Sequence, residues 1–409
     1  MTTPGSAGGP ENSGSASAPR SSAGYAAWHW ATPQAQRVLA TNDLGKILRF
    51  HRQVHGLNQA GLGEILGYDK TYVSALELGK RTLDDLGSRR RIVSLLHLPP
   101  HVLGITDPAD TDHRAMLQFG ESTVRLAEIA RQSGHASEAV AELWPLVARL
   151  ESRIQAGHTE RETLRLLARA RAGLGVALGN VLPEERLGTA AHWTAKSLHI
   201  ALYFQDPVFS SDVLRLHGNE LRKAGLRGAA VHRLQHALAL APTPAAHAAA
   251  LPLLARAAGA LGDPNLFDTV IQQAHDLLNH ANHTSLFNPY ALHEIRLRGL
   301  IATGRTNIAT RLADAPPPPT TTTVAPQWHV IEQVTVADVH LRAGDRNGAR
   351  ECLDTATREA AALRLPHQLQ RIMRTAGELL PETHANATHA LNRLREELGA
   401  QRVVSRNDE

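Results

Sequence analysis

From about residue 110 onward, the chain repeats one pattern of helical segments. An apolar run rich in alanine and leucine ends at a glycine, and a second run follows and ends at a breaker, as in VLRLHGNELRKAGLRGAAVHRLQHALALAP. Successive glycines of this kind lie 45, 46, 37, 42 and 40 residues apart. A repeat of this length predicts an α-solenoid, in which each helix pair buries its apolar face against the next pair. The predicted turn glycines are Gly134, Gly179, Gly225, Gly262, Gly304 and Gly344.

We predict that about six helix pairs occupy residues 112–399. Small residues such as Ala230 and Ala349 would let neighbouring helices approach closely. The pairs resemble tetratricopeptide repeats, although they are longer and looser than the consensus of that family. The stretch APPPPTTTTVAP, residues 315–326, predicts a stiff and exposed linker that interrupts the stack. We assign residues 400–409 to a disordered tail.

Residues 43–106 carry a different pattern of short, closely spaced helices. Asparagine and aspartate are favoured at the start of a helix, and glycine is favoured just after its end. Three predicted helices are bounded in this way, by Asp43 and Gly56, by Asn58 and Gly67, and by Asp69 and Gly79. Gly63 falls where the second helix meets the third, and its small size would permit the steep crossing of a helix-turn-helix unit.

Two further helices would complete this domain. Thr82 with Asp85 predicts the start of a fourth helix, and SRRRIVSLLHL predicts a fifth, so we expect a five-helix domain. The apolar side chains predicted to face its core are Leu44, Ile47, Leu48, Val54, Leu62, Ile65, Leu66, Val73, Leu76, Ile92, Val93, Leu95 and Leu96.

The segments before this domain differ in composition. Residues 1–24 are small and polar, which predicts a disordered arm and not a secretory signal. Residues 25–42 predict a helical extension, since Pro33 follows Thr32 at a helix start. Trp28 and Trp30 flank His29, and we expect the two tryptophans to pack on the bundle, because duplex DNA hides its bases from stacking.

The stretch GLNQAGLGEILGYDKTYVSALELGKR resembles the Cro/C1-type (XRE) family of phage repressors and bacterial regulators. The resemblance implies a lambda-repressor-like helix-turn-helix domain that binds double-stranded DNA. It also implies that Gln59 contacts a phosphate and that Arg52 and Glu77 form an ion pair joining the first helix to the third. The alternative, a generic helical bundle with a solvated basic face, does not explain the ordered set of glycines and caps.

Helical geometry selects the DNA-facing side of the third helix. With Val73 and Leu76 directed inward, the opposite face points to solvent. Lysine can donate to guanine, serine and threonine can bond to several bases, and alanine can contact the thymine methyl group. Tyr72 is expected to reach the DNA backbone. The predicted DNA-binding residues are Gln59, Lys70, Thr71, Tyr72, Ser74, Ala75, Lys80 and Arg81, with Leu78 also pointing outward.

Charge and cysteine content fit this interpretation. The whole chain carries a formal charge of +4, and the window from Leu44 to His97 holds nine basic and five acidic residues, so it carries the same net charge. A polyanion is therefore the expected partner of this segment. Cys352 is the single cysteine, which excludes an internal disulfide and suits a reducing cytoplasm. No apolar run approaches membrane-spanning length, so we expect a cytoplasmic, nucleoid-associated protein.

A solenoid of this kind usually binds a partner on its concave face. We expect polar residues of the first helices to line that groove, and an Asn-Arg pair three residues apart could hold a peptide backbone or a carboxylate. The alternative for each of them is a solvated helix face. The candidate groove residues are His217, Asn219, Arg222, His293, Arg296 and Arg298.

The sequence does not predict an enzyme, a metal site or a cofactor. The pairs His232 with His236 and His280 with His283 have helical spacing but no third ligand at a recognisable interval. The stretch HEIRLR lacks the second histidine of a metalloprotease motif, and Cys352 is interpreted as a small packed residue.

Together these patterns predict a sequence-specific transcriptional regulator, and the layout resembles actinobacterial regulators. One recognition helix covers few base pairs, so we expect a homodimer on a palindromic operator. A signalling peptide, a small molecule or a protein bound to the solenoid would modulate it. The alternatives are a protein-interaction scaffold that is only tethered to DNA, and the antidote of a toxin pair, which the long solenoid disfavours.

Overall fold

The structure, a computed structural model, describes residues 26–105, 109–315, 317–319 and 324–407. These residues form nineteen α-helices and no β-strand. The predicted fold class is confirmed: the chain is all-α, with a helix-turn-helix domain followed by a helical solenoid. The predicted arm of residues 1–24 and the domain boundary at residues 106–108 lie outside the described residues.

Within the described residues, no helix combines the length and the apolar character needed to cross a membrane.

Five α-helices build the N-terminal bundle, between 3-10 helices at Ala26–Ala31 and Pro100–Leu103. Each α-helix begins at a capping side chain that accepts a hydrogen bond from the N–H three residues further on. The caps are Thr32, Asp43, Asn58, Asp69 and Asp85. They satisfy backbone donors that have no partner inside the helix. The helices are α1 (Pro33–Leu39), α2 (Leu44–Val54), α3 (Gln59–Leu66), α4 (Lys70–Glu77) and α5 (Leu86–Leu96).

The prediction of a helix starting at Thr82 is wrong. Asp85 accepts the N–H of Ser88 at 2.7 Å and caps α5 itself, so it does not act as the first-turn acid of an earlier helix. The loop before it is held by Arg89, whose Nε donates to the carbonyl of Leu83 at 2.6 Å. The bundle still has five α-helices, because α1, which precedes the predicted domain, packs its apolar face into the common core.

Three apolar residues predicted to face this core are exposed instead: Val54 by 46%, Ile65 by 41% and Leu95 by 40%. In α3, the buried stripe consists of Leu62 and Leu66, four residues apart. A helix of eight residues turns one narrow stripe to its neighbours, so Ile65 on the flank of that stripe remains in contact with solvent.

The turn between α3 and α4 has the form that the sequence predicted. Gly67 adopts a left-handed conformation, with φ of 71°, and Asp69 caps α4. The N–H of Tyr68 donates to the carbonyl of Gly63 at 2.9 Å and closes the end of α3. A Cβ atom on Gly63 would overlap the carbonyl oxygen of Tyr68. The missing side chain at Gly63 therefore makes space for the backbone of the turn. The prediction was that it would make space for the crossing helix α4.

Seven consecutive helix pairs follow. Positive-φ glycines lie directly after the first helices of five pairs, at the predicted positions 134, 225, 262, 304 and 344, and Gly377 serves the last pair. The pairs are α6 (Ala109–Gln132) with α7 (Ala136–Gln155), α8 (Arg161–Val181) with α9 (Leu187–Phe204), α10 (Pro207–Lys223) with α11 (Arg227–Leu240), α12 (Pro244–Leu261) with α13 (Pro264–Leu277), α14 (Pro289–Ala302) with α15 (Thr306–Ala313), α16 (Gln327–Arg342) with α17 (Arg346–Ala362), and α18 (Pro366–Ala376) with α19 (Pro381–Asn407).

Gly179 was wrongly predicted to close a helix. It lies inside α8, which continues to Val181 and ends just before Pro183. A Cβ atom on Gly179 would overlap the carboxylate of Glu220 on α10. This glycine therefore permits a close approach between two helices and has no role in a turn.

The solenoid curls until its ends meet. Arg374 on α18 pairs with Glu184, and Arg395 on α19 pairs with Glu185, each at 2.6 Å. At the other end, a Cβ atom on Gly134 in the α6–α7 turn would overlap Leu363 and touch Pro326, so this turn lies close to α16 and α17. The last pairs thus lie against the first two, and the first helices of the pairs surround an internal space.

Two other segments differ from expectation. Ala325, in the predicted exposed linker, is buried and packs in one apolar cluster with Trp328, whereas Pro317 and Pro319 are exposed as predicted. The last helix continues to Asn407, eight residues into the predicted tail. Residues 400–407 contain no glycine or proline to stop the helix.

Candidate functional site

The outer face of α4 is open to solvent. Lys70 and Thr71 are exposed at its start, Ser74 and Ala75 are half-buried, and Leu78 just after its end is exposed by 62%. Val73 and Leu76 on the opposite face are fully buried. The predicted DNA-facing residues therefore lie together on one side of the helix that leaves the turn at Asp69.

Basic and aromatic side chains flank this face. Lys80 and Arg81 are exposed in the loop after α4. The guanidinium of Arg81 lies 5.1 Å from the centre of the Tyr72 ring, and that ring lies 4.7 Å from the ring of Tyr68. Tyr72 thus packs between Tyr68 and Arg81. Its cation–π contact orients Arg81 beside the exposed face of α4.

Arg52 and Glu77 lie in direct contact, as the family resemblance implied. Nε of Arg52 donates to Oε1 of Glu77 at 2.9 Å, and Nη2 donates to Oε2 at 3.3 Å. Nη1 of Arg52 also donates to the carbonyl of Leu57 in the α2–α3 loop, at 3.3 Å. One guanidinium therefore joins the end of α2, the following loop and the end of α4.

Gln59 belongs to the same network. Its Nε2 donates to Oε2 of Glu77 at 2.9 Å, so the amide faces the ion pair in the described structure. Burial by itself raises the pKa of Glu77, but the hydrogen bonds from Arg52 and Gln59 outweigh it and lower that pKa below 4.5. A phosphate contact from Gln59 stays a prediction, and it would use the second N–H of the amide.

The internal space of the solenoid contains a cavity of about 300 Å³ that is strongly basic. Its lining includes eight cationic side chains, whereas Glu184 is its one acidic lining residue among the described residues. A second cavity of about 420 Å³ lies beside it and shares five of the arginines. The eight cationic residues are Arg131, Arg215, Arg222, Lys223, Arg256, Arg298, Arg371 and Arg374.

Five of these cations have a carboxylate partner. Lys223 lies 3.0 Å from the buried Glu220, and Arg298 lies 3.0 Å from the buried Glu294. The other three pairs are Arg131 with Glu128, Arg215 with Asp212, and Arg374 with Glu184.

Three cavity arginines form no ion pair with any described residue. Arg222 donates to Oδ1 of Asn219, and Arg371 donates to Oγ1 of Thr335 at 2.8 Å. Arg256 lies 5.2 Å from the centre of the Trp328 ring, and its Nε has no hydrogen-bond partner among the described residues. These three guanidinium groups thus have no carboxylate in direct contact, although the buried Glu294 attracts all three at longer range.

The arginines occupy equivalent places on successive first helices. Arg256, Arg298 and Arg371 each precede the closing glycine of their helix by six residues. Arg131, Arg222 and Arg374 each precede it by three residues. Positions three residues apart share a helix face, so the sequence contained a signal for one inward basic face that the sequence analysis missed.

The predicted groove residues divide into two groups. Asn219, Arg222 and Arg298 line the cavity. The other three predicted residues do not line either cavity.

Those three side chains lie elsewhere. His217 is buried with its Nδ1 3.0 Å from Oγ1 of Thr194, and burial lowers its pKa to about 4. His293 is half-buried, and Arg296 is exposed because it lies two residues, about 200° of helix, from the inward Arg298.

A cluster of three histidines lies at the edge of the N-terminal bundle. One ring nitrogen from each of His29, His51 and His55 lies within 4.8 Å of the others. Nδ1 of His51 is 3.4 Å from Nε2 of His29. The four-residue spacing of His51 and His55, at the C-terminal end of α2, is a signal in the sequence that the predicted histidine pairs did not include. Only the fold brings His29 to them.

The other residues considered for chemistry lie apart. His232 and His236 are exposed on α11. Cys352 is half-buried on α17, and burial raises the pKa of its thiol.

Comparison with known proteins found similar solved structures. A search of solved structures matched the crystal structure of Bacillus thuringiensis PlcR in complex with the peptide PapR7 and DNA. The match has 13% identity and a TM-score of 0.26, and it covers 86% of this chain and 99% of that chain. Because this TM-score is low, the fold is assigned from the helices of this chain and not from the match. No family model and no curated protein matched the sequence.

Proposed function

We propose that the protein is a sequence-specific DNA-binding transcriptional regulator of the Cro/C1 (XRE) type, whose activity is controlled through its solenoid. The observation that carries the proposal is the geometry of α4. It is a capped helix at a tight turn, buried on one side and open on the other, with short polar side chains on the open side. A helix with these features fits the major groove and can contact base edges.

The surroundings of α4 support this mode of binding. Lys80 and Arg81 beside the open face would contact phosphates, which position a protein on the duplex without reading its sequence. The Arg52–Glu77 pair fixes the angle between α2 and α4, so it would set how deeply α4 enters the groove. Lys70, Thr71, Ser74 and Ala75 would then contact the bases.

A regulator of this kind would act as a homodimer, because one recognition helix reads too few base pairs to find one operator in a genome. The outer face of α6, on the terminal repeat, exposes Phe119, Leu126 and Ile129. Internal repeats of a solenoid cover such a face with a neighbouring repeat, so we place the contact with a second copy there. Light scattering of the intact protein should give twice the chain mass of 44.2 kDa, and a monomer at micromolar concentration would contradict the dimer.

The closed lumen supports control by a small ligand. The first helices face a cavity of about 300 Å³, which lies at the lower end of the range for small-molecule sites. A folded partner protein would need an open concave surface. This favours a ligand-controlled regulator over the scaffold alternative.

The test uses duplexes that the intact protein enriches from a random library, compared with scrambled duplexes by fluorescence anisotropy. We expect Lys70→Ala combined with Thr71→Ala to reduce the preference for the enriched duplex by about tenfold or more, since a good base contact contributes about 1–3 kcal/mol. Lys80→Ala is the matched control. It should weaken binding to both duplexes equally. It should also reduce the slope of log K against log salt concentration by about one.

The outcomes separate the proposals. If the double variant keeps its full preference while folded, α4 does not read the sequence. If the intact protein enriches no duplex at all, the regulator proposal fails and the scaffold alternative is favoured.

A further inference from the structure

We infer that the lumen of the solenoid is a binding site for a small organic phosphate, held by Arg222, Arg256 and Arg371. The inference rests on the proposed function in one respect: it names the chemical class of the ligand that would control the regulator. The binding itself does not depend on DNA.

The net positive charge around the lumen favours the binding of an anion. Arg222, Lys223, Arg256, Arg298 and Arg371 face two buried carboxylates, Glu220 and Glu294. The excess of positive charge lies in a cavity whose cations are only partly exposed to water, where like charges repel more strongly than at a fully exposed surface. A bound dianion would offset this repulsion.

The protonation behaviour of the arginines agrees with this geometry. Burial, and then the neighbouring Arg298, lower the pKa of Arg222 to about 10. The same two causes lower the pKa of Arg371 to about 9. Burial and the nearby Arg222 and Arg298 also lower the pKa of Arg256. Arg298 thus lies close enough to all three guanidinium groups to disfavour their charge.

Unpartnered polar atoms point to the same place. Nε of Arg256, Nδ1 of His367 and Oε1 of Gln368 are buried at the lumen without a hydrogen-bond partner among the described residues. Buried polar groups in folded proteins are nearly always hydrogen-bonded. Nε of Arg256 is a donor that can bind an oxyanion, and Oε1 of Gln368 is an acceptor for a hydroxyl or N–H of the ligand.

The shape of the site selects an organic phosphate. The lining also contains apolar side chains, among them Val176, Leu253 and Leu365, so the ligand should carry an apolar or partly apolar body. A phosphate offers three oxygens to several guanidinium forks, whereas a single carboxylate offers two. Dicarboxylates share part of this chemistry, and the experiment distinguishes the two sources.

The experiment measures binding by the full-length protein with isothermal titration calorimetry at constant ionic strength. The probes are inorganic phosphate, phenyl phosphate and succinate, with sodium chloride as the blank. We expect phenyl phosphate to bind more tightly than inorganic phosphate, and both to bind more tightly than succinate. The variants are Arg256→Gln and Arg371→Gln, neither of which removes an ion pair. Arg296→Gln, an exposed arginine on α14, is the matched control.

The expected result is a loss of phenyl phosphate affinity of at least tenfold in each lumen variant and no change in the control. If succinate binds more tightly than the two phosphates, the ligand class is a dicarboxylate and not an organic phosphate. Equal heats for all probes and chloride, or full affinity in the Arg256→Gln and Arg371→Gln variants, would overturn the inference. Since the assay contains no DNA, its failure leaves the DNA-binding proposal intact, and the reverse also holds.

A separate observation carries a second inference. The geometry points to a transition-metal site at His29, His51 and His55, with zinc as the metal to test. His51 in the last turn of α2 and His55, its C-cap, lie four residues apart, a spacing that places both rings on one side of the helix end. His29, from the 3-10 helix at Ala26–Ala31, supplies a third nitrogen within 4.8 Å.

The environment of the three rings suits metal binding. His29 and His51 are buried, and their rings contact the ring of Trp30. His55 is exposed. Three nitrogen ligands with one side open to solvent leave a fourth position for water or another ligand. A bound metal would fasten the N-terminal extension to α2.

The test is a zinc titration of the full-length protein, prepared without a histidine tag and stripped with a chelator. We expect one zinc ion per chain, and His55→Ala should weaken binding at least tenfold. The double variant His232→Ala with His236→Ala, an exposed four-residue pair on α11, is the matched control and should bind zinc normally. Equal loss in the control and in His55→Ala, or no stoichiometric zinc in the wild type, would refute the site.

Discussion

Trp30→Ala is expected to lower the free energy of unfolding of the N-terminal bundle by about 3–5 kcal/mol, the usual cost of removing a large buried aromatic side chain. Trp30 is fully buried, with its ring 5.7 Å from that of Phe50. Its Nε1 donates to the carbonyl of Leu96 at 2.8 Å, which ties the N-terminal extension to the end of α5. Hydrogen exchange of the α2–α5 amides measures the loss in the full chain, because it reports the opening of each region separately.

Two further variants separate the causes of this loss. Trp30→Phe keeps most of the ring but removes the indole N–H, so it leaves the Leu96 carbonyl unpaired at a cost of about 1–3 kcal/mol. Trp144→Ala, a half-exposed tryptophan on α7, should leave exchange in α2–α5 unchanged. Unchanged exchange in Trp30→Ala would show that the extension is not part of the bundle and that residues 43–105 fold without it.

Features encoded by a few neighbouring residues were predictable from the sequence. The caps Asn58 and Asp69 and the left-handed Gly67 lie where they were predicted, because a cap depends on a side chain and a backbone group three residues apart. The periodic glycines of the solenoid were predictable for the same reason. The exposed face of α4 follows once its start at Asp69 is known.

Features that depend on distant contacts were not predictable in this way. Thr82 and Asp85 fit a capping-box pattern, but Asp85 caps α5 directly. Gly179 has the spacing of a turn glycine, although its small size serves the contact with Glu220 on another helix. In both cases the local pattern is compatible with two structures, and tertiary packing decides between them.

The candidate site shows the same division. Asn219 and Arg222 were predicted in the groove from one helix alone, and they lie there. The basic lumen arises because five different first helices turn an arginine inward and the solenoid closes on itself. A single helix contains no information about that closure. Aligning the helices on their closing glycines would have revealed the shared face.

Arg52→Met is expected to destabilise the N-terminal bundle by about 3 kcal/mol at pH 7. Glu77 is only 3% exposed and Arg52 is 24% exposed, so the substitution leaves a buried carboxylate with Gln59 as its remaining side-chain partner. Breaking a buried ion pair from one side typically costs about 3–5 kcal/mol, and partial hydration of this pair favours the lower end. Arg37→Met, an exposed arginine on α1, is the matched control and should cost less than about 1 kcal/mol.

The pH dependence of this loss identifies the ion pair as its cause. In the wild type the pKa of Glu77 is lowered below 4.5 in the folded state, so its contribution to stability is present above the unfolded pKa and is lost as the pH falls through the folded pKa. In Arg52→Met, burial without the guanidinium raises that pKa, and protonation then relieves the buried charge. The difference between wild type and variant should therefore shrink as the pH falls from 7 to below 4. Urea unfolding followed by hydrogen exchange of the α2 and α4 amides at both pH values measures it. A difference that stays constant with pH would mean that Arg52 stabilises the bundle through its packing and its bond to Leu57, and not through Glu77.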